Sequence, residues 1–238
     1  MLSGIGKHRT FDFKKSLDVI YSYKMSSKVP LIPAIEEKIR NLVRGDVPWS
    51  LRYLNEFFAL KCAPDIFYMF PNPKEVTESF GAFNAVKKHL KDFDPKDPRV
   101  GLIAVGDGAT PRTASTFAFR TQWDCLSIDP LLRTADCNTN FNRISYLPCK
   151  IEHSPSDVSK WICRSGCSKL IIACVHSHAN LENVLRIVKS SGDVVERIAI
   201  VAIQCCVPQV LKNKEPDLEY RDWSILSPEN LVKVWKSV

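Results

Sequence analysis

The stretch from Arg99 to Pro130 constrains the fold of this chain more than any other. It opens with an apolar run, Val100 to Val105, whose length suits a buried parallel strand. A turn with two glycines follows at 106–108, then a helix pattern, and then a second apolar run, Cys125 to Ile128, that leads to Asp129. This order of strand, glycine turn, helix, strand and acid is typical of a nucleotide-type cofactor site at the carboxyl edge of a doubly wound sheet.

The residue types of the turn indicate which ligand it would accept. Gly106 and Gly108 let the backbone turn sharply off the first strand and come close to a ligand. Asp129 lies roughly 20 residues farther on, where an acid at the tip of the second strand can accept ribose hydroxyls. Asp107 adds a carboxylate to the loop, and Pro111 replaces the third glycine of the dinucleotide fingerprint. Because that carboxylate would repel a pyrophosphate, a ligand with ribose and adenine but no phosphate fits better.

The rest of the chain continues the alternation of strands and helices. Further apolar runs predict strands at 143–147, 169–175 and 197–204, with helices at 157–163 and 181–189 between them. A final pair of segments, Tyr220 to Leu226 and Leu231 to Val238, predicts a hairpin around a turn at 227–230. The predicted fold class is therefore α/β: a Rossmann-like, doubly wound, mostly parallel sheet with a C-terminal antiparallel hairpin.

The first 98 residues show helical spacing in place of alternating strands and helices. Their apolar spacing predicts four helices, at 11–25, 34–45, 51–62 and 76–93. We expect two regions: residues 1–98 as a helical N-terminal extension packed on the core, and residues 99–238 as the Rossmann-like domain.

Two short motifs within this arrangement carry a family resemblance. The sequence AVGDGAT, Ala104 to Thr110, and the sequence SIDP, Ser127 to Pro130, resemble the first and second motifs of the class I S-adenosylmethionine-dependent methyltransferases. The resemblance covers about Arg99 to the C-terminus and implies a closing antiparallel strand. It also implies S-adenosylmethionine as the cofactor, held by a set of turn and strand-tip residues: Gly106, Asp107, Gly108, Thr110 and Asp129.

In that family, transfer chemistry usually draws on residues after the fourth strand. Here His176 and His178 occupy this place, and a histidine there can take the acceptor's proton as general base. A pair of loop histidines also arises without function. No cysteine or carboxylate is tied to them by sequence spacing, so we predict no metal site.

Charge and cysteine content bear on partner and compartment. The net charge of +7 favours an anionic partner, so we expect RNA, or else a protein, as the methyl acceptor. No apolar stretch approaches the length of a membrane span, and the N-terminus has no apolar signal region. The nine cysteines then indicate reduced thiols in the cytoplasm or another reducing intracellular compartment. The sequence does not address the oligomeric state.

Three functions remain open at this point. The first is a methyltransferase that acts on RNA or protein. The second is a catalytically inactive methyltransferase-like module that binds RNA or a protein partner. The third is a nicotinamide-dependent oxidoreductase, against which Asp107 and the missing third glycine both argue.

Overall fold

In the residues that the structure describes, seven strands form one sheet in the order β3-β2-β1-β4-β5-β7-β6. Strands β1 to β5 are parallel, and β7 runs antiparallel to both β5 and β6. The strands are β1 (Val100–Val105), β2 (Asp124–Ile128), β3 (Ile144–Leu147), β4 (Lys169–Val175), β5 (Arg197–Ile203), β6 (Leu218–Arg221) and β7 (Leu231–Trp235). The first five match the predicted strands to within one residue at each end, which confirms the predicted fold class.

Five α-helices accompany the sheet in this computed structural model, which describes residues 52–60, 66–133, 142–191 and 194–238. They are α1 (Arg52–Phe58), α2 (Pro73–His89), α3 (Arg112–Arg120), α4 (Pro155–Ser165) and α5 (Leu181–Lys189). The helices predicted at 11–25 and 34–45 lie outside the described residues. No helix of the described residues is both long and apolar enough to cross a membrane.

Alternate residues of the central strands enter two separate cores, as the two-residue period of a strand requires. In β4, Ile171 and Ala173 pack with the helices α1, α2 and α3, while Leu170 and Ile172 pack with α4 and α5. Both faces of the sheet are therefore covered, which explains why the parallel strands read as continuous apolar runs.

Helix α2 begins and ends earlier than the sequence pattern predicts. Asn72 caps it by accepting the N–H of Glu75 at 3.1 Å, and Pro73 occupies the first turn. Most of its length is buried in the core, from Val76 in the first turn to Val86 in the last. The core therefore holds both ends of the helix in place. The domain division at residue 98 stays a prediction, although α1 and α2 both pack on the sheet's first core.

The C-terminal hairpin has a longer connection than the predicted four-residue turn. Strand β6 ends at Arg221, and a loop runs from there to Leu231. The loop is long because it belongs to the core: Ile225 is fully buried, and the N–H of Leu226 donates to the hydroxyl of Thr77 on α2 at 2.9 Å. Tertiary packing therefore decides the end of β6.

Candidate functional site

The strand order defines where a ligand crevice lies. The chain passes from β1 through α3 on one face of the sheet, and from β3 through α4 and α5 on the other. Strands β1 and β4 are neighbours whose connections leave on opposite faces, so their carboxyl ends form a topological switch point. Open α/β sheets bind ligands at this place.

The glycine turn and the acid predicted from the sequence meet at this edge. The N–H of Gly106 donates to the carbonyl of Ile128 at 2.8 Å, which continues the β1–β2 ladder into the turn. The N–H of Gly108 donates to Asp129 Oδ2 at 2.9 Å, and that of Leu131 donates to Oδ1 at 2.7 Å. The Asp129 carboxylate is thus held directly beside the turn and is 8% exposed.

Both glycines of the turn have left-handed backbone conformations. The φ of Gly106 is +75° and that of Gly108 is +84°, where a side chain is strained. A Cβ on Gly106 would meet Ser177, in the loop after β4, and a Cβ on Gly108 would meet the guanidinium of Arg112. The turn therefore requires glycine for its own packing, before any ligand is considered.

The side chain of Asp107 points into the protein. One carboxylate oxygen accepts the N–H of Thr113 at 2.7 Å; the other accepts the N–H of Ala114 at 3.1 Å and the hydroxyl of Ser127 at 2.9 Å. Burial raises the pKa of Asp107, while the charge of Arg112 and these hydrogen bonds act to lower it. Asp107 thereby ties the glycine turn to the start of α3 and to β2, and its contact with a cofactor stays a prediction.

Thr110 and Arg112 connect the turn to the segment that precedes β1. The hydroxyl of Thr110 donates to the carbonyl of Met69 at 2.6 Å. The side chain of Arg112 donates through Nε to the carbonyl of Asp107 at 3.0 Å and forms an ion pair with Glu75 on α2. Residues from the N-terminal part of the chain thus help to shape the turn.

Helix α2 also contributes a buried carboxylate, Glu78, to the carboxyl end of β4. Its Oε1 lies 3.0 Å from His176 Nε2 and 2.7 Å from Lys74 Nζ, and the side chain is 1% exposed. The second oxygen, Oε2, is buried as well, and the Glu78 carboxyl is within hydrogen-bonding contact of the Glu75 side chain one turn earlier on α2.

The pKa values of the two α2 carboxylates move in opposite directions. Burial acts to raise the pKa of Glu78, but the contacts with His176 and Lys74 outweigh it and hold that pKa below its usual value. Burial raises the pKa of Glu75, with Glu78 adding to the rise and Arg112 opposing it. Carboxylates whose environments push their pKa values apart are typical of functional sites.

The two predicted histidines have different neighbours. His176 has a φ of +50°, uncommon for a residue other than glycine, and its ring contacts Glu78. The Nε2 of His178 lies 3.4 Å from Cys206 Sγ in the loop after β5. We refer to the turn at 106–108 with Asp129, Glu78 and His176 as the candidate site.

Sequence reasoning missed Glu75, Glu78, Cys205 and Cys206 as functional candidates. A usable signal existed for the glutamates, since they are three residues apart and share one face of a helix whose other positions are mostly buried. The cysteines carry no such signal, because only the parallel pairing of β4 with β5 brings their loop to His178.

Three solved structures illustrate what this chain is similar to. A point mutant of MtNAS in complex with S-adenosylmethionine has 9% identity and a TM-score of 0.45, with 95% of this chain and 98% of that chain covered. A cyclopropane-fatty-acyl-phospholipid synthase-like protein from Lactobacillus casei ATCC 334 has 9% identity and a TM-score of 0.40, with coverage of 66% and 59%. MycE methyltransferase from the mycinamycin biosynthetic pathway, in complex with Mg and SAH, has 10% identity and a TM-score of 0.35, with coverage of 71% and 50%.

No protein-family model matches the chain, and no curated protein matches it. The sheet itself defines the class. Five parallel strands closed by an antiparallel β7 between β5 and β6, with a glycine turn joined to an acid, form a Rossmann-like fold.

The steric and conformational demands at Gly106 can be separated with a matched glycine. We expect Gly166→Ala to cost about 1–2 kcal/mol of unfolding free energy, because its φ is +63° but nothing lies within 4 Å of an added Cβ. Gly106→Ala should cost more, since the same strain is joined by a clash with Ser177. Urea denaturation of both variants measures the difference, and equal costs would show that the turn and the β4 loop are not in close contact.

Proposed function

We propose that this protein is an S-adenosylmethionine-dependent methyltransferase whose acceptor is RNA. The observation that carries the proposal is the meeting of the glycine turn, Asp129 and the His176–Glu78 pair at the carboxyl ends of β1, β2 and β4. The glycine turn with Asp129 suits a nucleoside, and the His176–Glu78 pair suits proton transfer.

The start of α3 argues for a ligand without phosphate. In dinucleotide-binding folds the free N–H groups of this helix hold the pyrophosphate. Here Asp107 occupies the N–H groups of Thr113 and Ala114, and its negative charge satisfies the helix dipole. A nicotinamide dinucleotide would have to compete with that buried carboxylate, whereas a sulfonium nucleoside would not.

Asp129 supports ribose binding. Each carboxylate oxygen accepts one backbone N–H and keeps a second lone pair for a ribose hydroxyl. Gly106 and Gly108 flank this acid on the turn, and Thr110 keeps acceptor capacity on its hydroxyl. The cofactor supplies an electrophilic methyl group when bound, and the protein's part is to orient the acceptor and remove its proton.

His176 is the residue best placed to take that proton. Its Nε2 lies 3.0 Å from the Glu78 carboxylate, a contact that would hold the ring in place at the end of β4. Glu78 acts through His176 and is therefore a positioning residue. The neighbouring His178 contacts Cys206, so the geometry favours His176 as the general base.

A specific observation also supports the inactive binding module. Both oxygens of Asp129 already bond the chain's own backbone, and the Arg112 guanidinium lies close to Gly108. A turn stabilised this way does not need a ligand to hold its shape. Cofactor binding and methyl transfer must therefore be measured separately.

Calorimetric titration with S-adenosylmethionine and S-adenosylhomocysteine tests the cofactor proposal. Asp129→Asn should weaken binding about tenfold or more, because it removes charge-assisted hydrogen bonds worth about 1.5–3 kcal/mol. Asp124→Asn is the matched control, since it removes a carboxylate from the opposite end of the same strand and should leave the affinity unchanged. A wild-type protein that gives no heat at millimolar ligand refutes the proposal.

Transfer of labelled methyl groups to a pool of structured RNAs tests catalysis. We expect His176→Gln to lower the rate by about 100-fold or more while the affinity for S-adenosylhomocysteine is kept, since the general base is lost and the nucleoside contacts remain. Glu78→Gln should cause a smaller loss, and His153→Gln, which changes an exposed histidine, should cause none. Cofactor binding without transfer to RNA, or equal activity in all variants, contradicts the catalytic assignment.

A groove at the other end of α2 supports RNA as the partner. It has a volume of about 550 Å³ and is lined by five cationic side chains, Arg52, Lys87, Lys88, Lys91 and Arg221. Asp222 is the one acidic residue of the lining, and Trp223 is 57% exposed. Cations beside an accessible aromatic ring suit the phosphates and bases of a single strand. We call this surface the basic groove.

Salt-dependent RNA binding tests the basic groove. Replacing Lys87, Lys88 and Lys91 with Gln should reduce the slope of log affinity against log salt by about 2, because three phosphate contacts on a single strand are lost. A triple Gln variant at the exposed Lys150, Lys189 and Lys212 gives the same change in net charge outside the groove. If both variants lose affinity equally, the groove is not the RNA site, and binding of a protein acceptor becomes the better hypothesis.

A further inference from the structure

Three side chains with metal-binding atoms converge where the loops after β4 and β5 meet. Among the described residues, His178, Cys205 and Cys206 place one ligand atom each within 4.8 Å of one another. The closest pair, His178 Nε2 and Cys206 Sγ, is 3.4 Å apart. Bond lengths of about 2.0–2.1 Å to nitrogen and 2.3 Å to sulfur put these atoms about 3.6 Å apart around a tetrahedral zinc ion. The observed spacing is close to that geometry without an ion present.

The loop that carries His178 is held in place from both sides. Gln209, which is fully buried, donates through Nε2 to the carbonyl of Ser177 at 2.9 Å and to that of Ala179 at 3.4 Å. These carbonyls belong to the two residues that flank His178. Cys205 Sγ also contacts the Ser177 carbonyl at 3.6 Å and accepts the N–H of Val207 at 3.5 Å. Gln209 therefore fixes the backbone on both sides of His178.

We propose that His178, Cys205 and Cys206 bind a thiophilic divalent cation, with Zn²⁺ as the best match. Imidazole and thiolate are the donors that zinc prefers, and this set provides three of the four ligands that zinc ordinarily takes. His178 and Cys206 are both exposed, so the fourth position is open to water or to a small ligand. Three protein ligands and one free position are typical of reactive zinc sites, whereas structural sites are closed by four.

The three-residue cluster lies close to the glycine turn. Ser177 lies between the two histidines, and a Cβ on Gly106 would meet its side chain. The three-residue cluster therefore sits at the same sheet edge as the candidate site, while its ligands are separate from the residues proposed for cofactor binding and proton transfer. The metal proposal does not depend on methyltransferase activity.

Metal titration of the full chain, purified under reducing conditions and freed of metal with a chelator, tests the proposal. Co²⁺ is the spectroscopic probe, and Zn²⁺ is then used to displace it. We expect one metal per chain, a thiolate-to-cobalt charge-transfer band and intense tetrahedral d–d bands. His178→Ala, Cys205→Ser and Cys206→Ser should each weaken binding by about 100-fold, since each removes one ligand of three.

Matched variants control for the protein's other thiols and imidazoles. Cys163→Ser and His153→Ala each remove an exposed residue outside the cluster and should leave both the spectrum and the affinity unchanged. Circular dichroism confirms that every variant is folded. The proposal fails if the reduced wild-type protein binds neither ion, if the cluster variants bind metal normally, or if the controls reduce binding as much as the cluster variants.

Discussion

The arrangement of the candidate site depends on the buried carboxylate of Asp107. It accepts two N–H groups at the start of α3 and the hydroxyl of Ser127 on β2, and its own backbone is part of the glycine turn. Three elements that meet at the carboxyl edge are thus joined through one side chain that is 3% exposed. Because the charge sits at a helix N-terminus, the dipole and the N–H groups offset the cost of burying it. The same contacts use the positions that a pyrophosphate would need, so they also restrict the ligand.

Helix α2 links the two surfaces to which we assign function. Its first turns carry Glu75 and Glu78 to the candidate site, and its last turn carries Lys87 and Lys88 to the basic groove. The intervening residues are buried on the sheet, which makes the helix a rigid connection between the two. The part of the chain before β1 therefore contributes residues to the candidate site as well as to the core.

Two histidines of one loop, separated by Ser177, have different neighbours at the end of β4. His176 adopts a positive φ and faces Glu78, whereas His178 faces Cys206. The pairing of β4 with β5 places the loop after β5 beside it, and Gln209 holds the two loops together. A structural change in either loop would therefore alter the surroundings of both histidines.

The sequence by itself determined the strands, their parallel order and the meeting of the glycine turn with Asp129. These follow from local patterns, because continuous apolar runs and a turn-to-acid spacing are sufficient to place β1, the turn and β2. The direction of the Asp107 side chain, the length of the β6–β7 loop and the contacts of Glu78 and Cys206 were decided only by the tertiary structure. Each of these depends on which residues distant in the chain become neighbours. A pattern of polar and apolar residues indicates which side chains are buried, but it does not indicate which residue each one contacts.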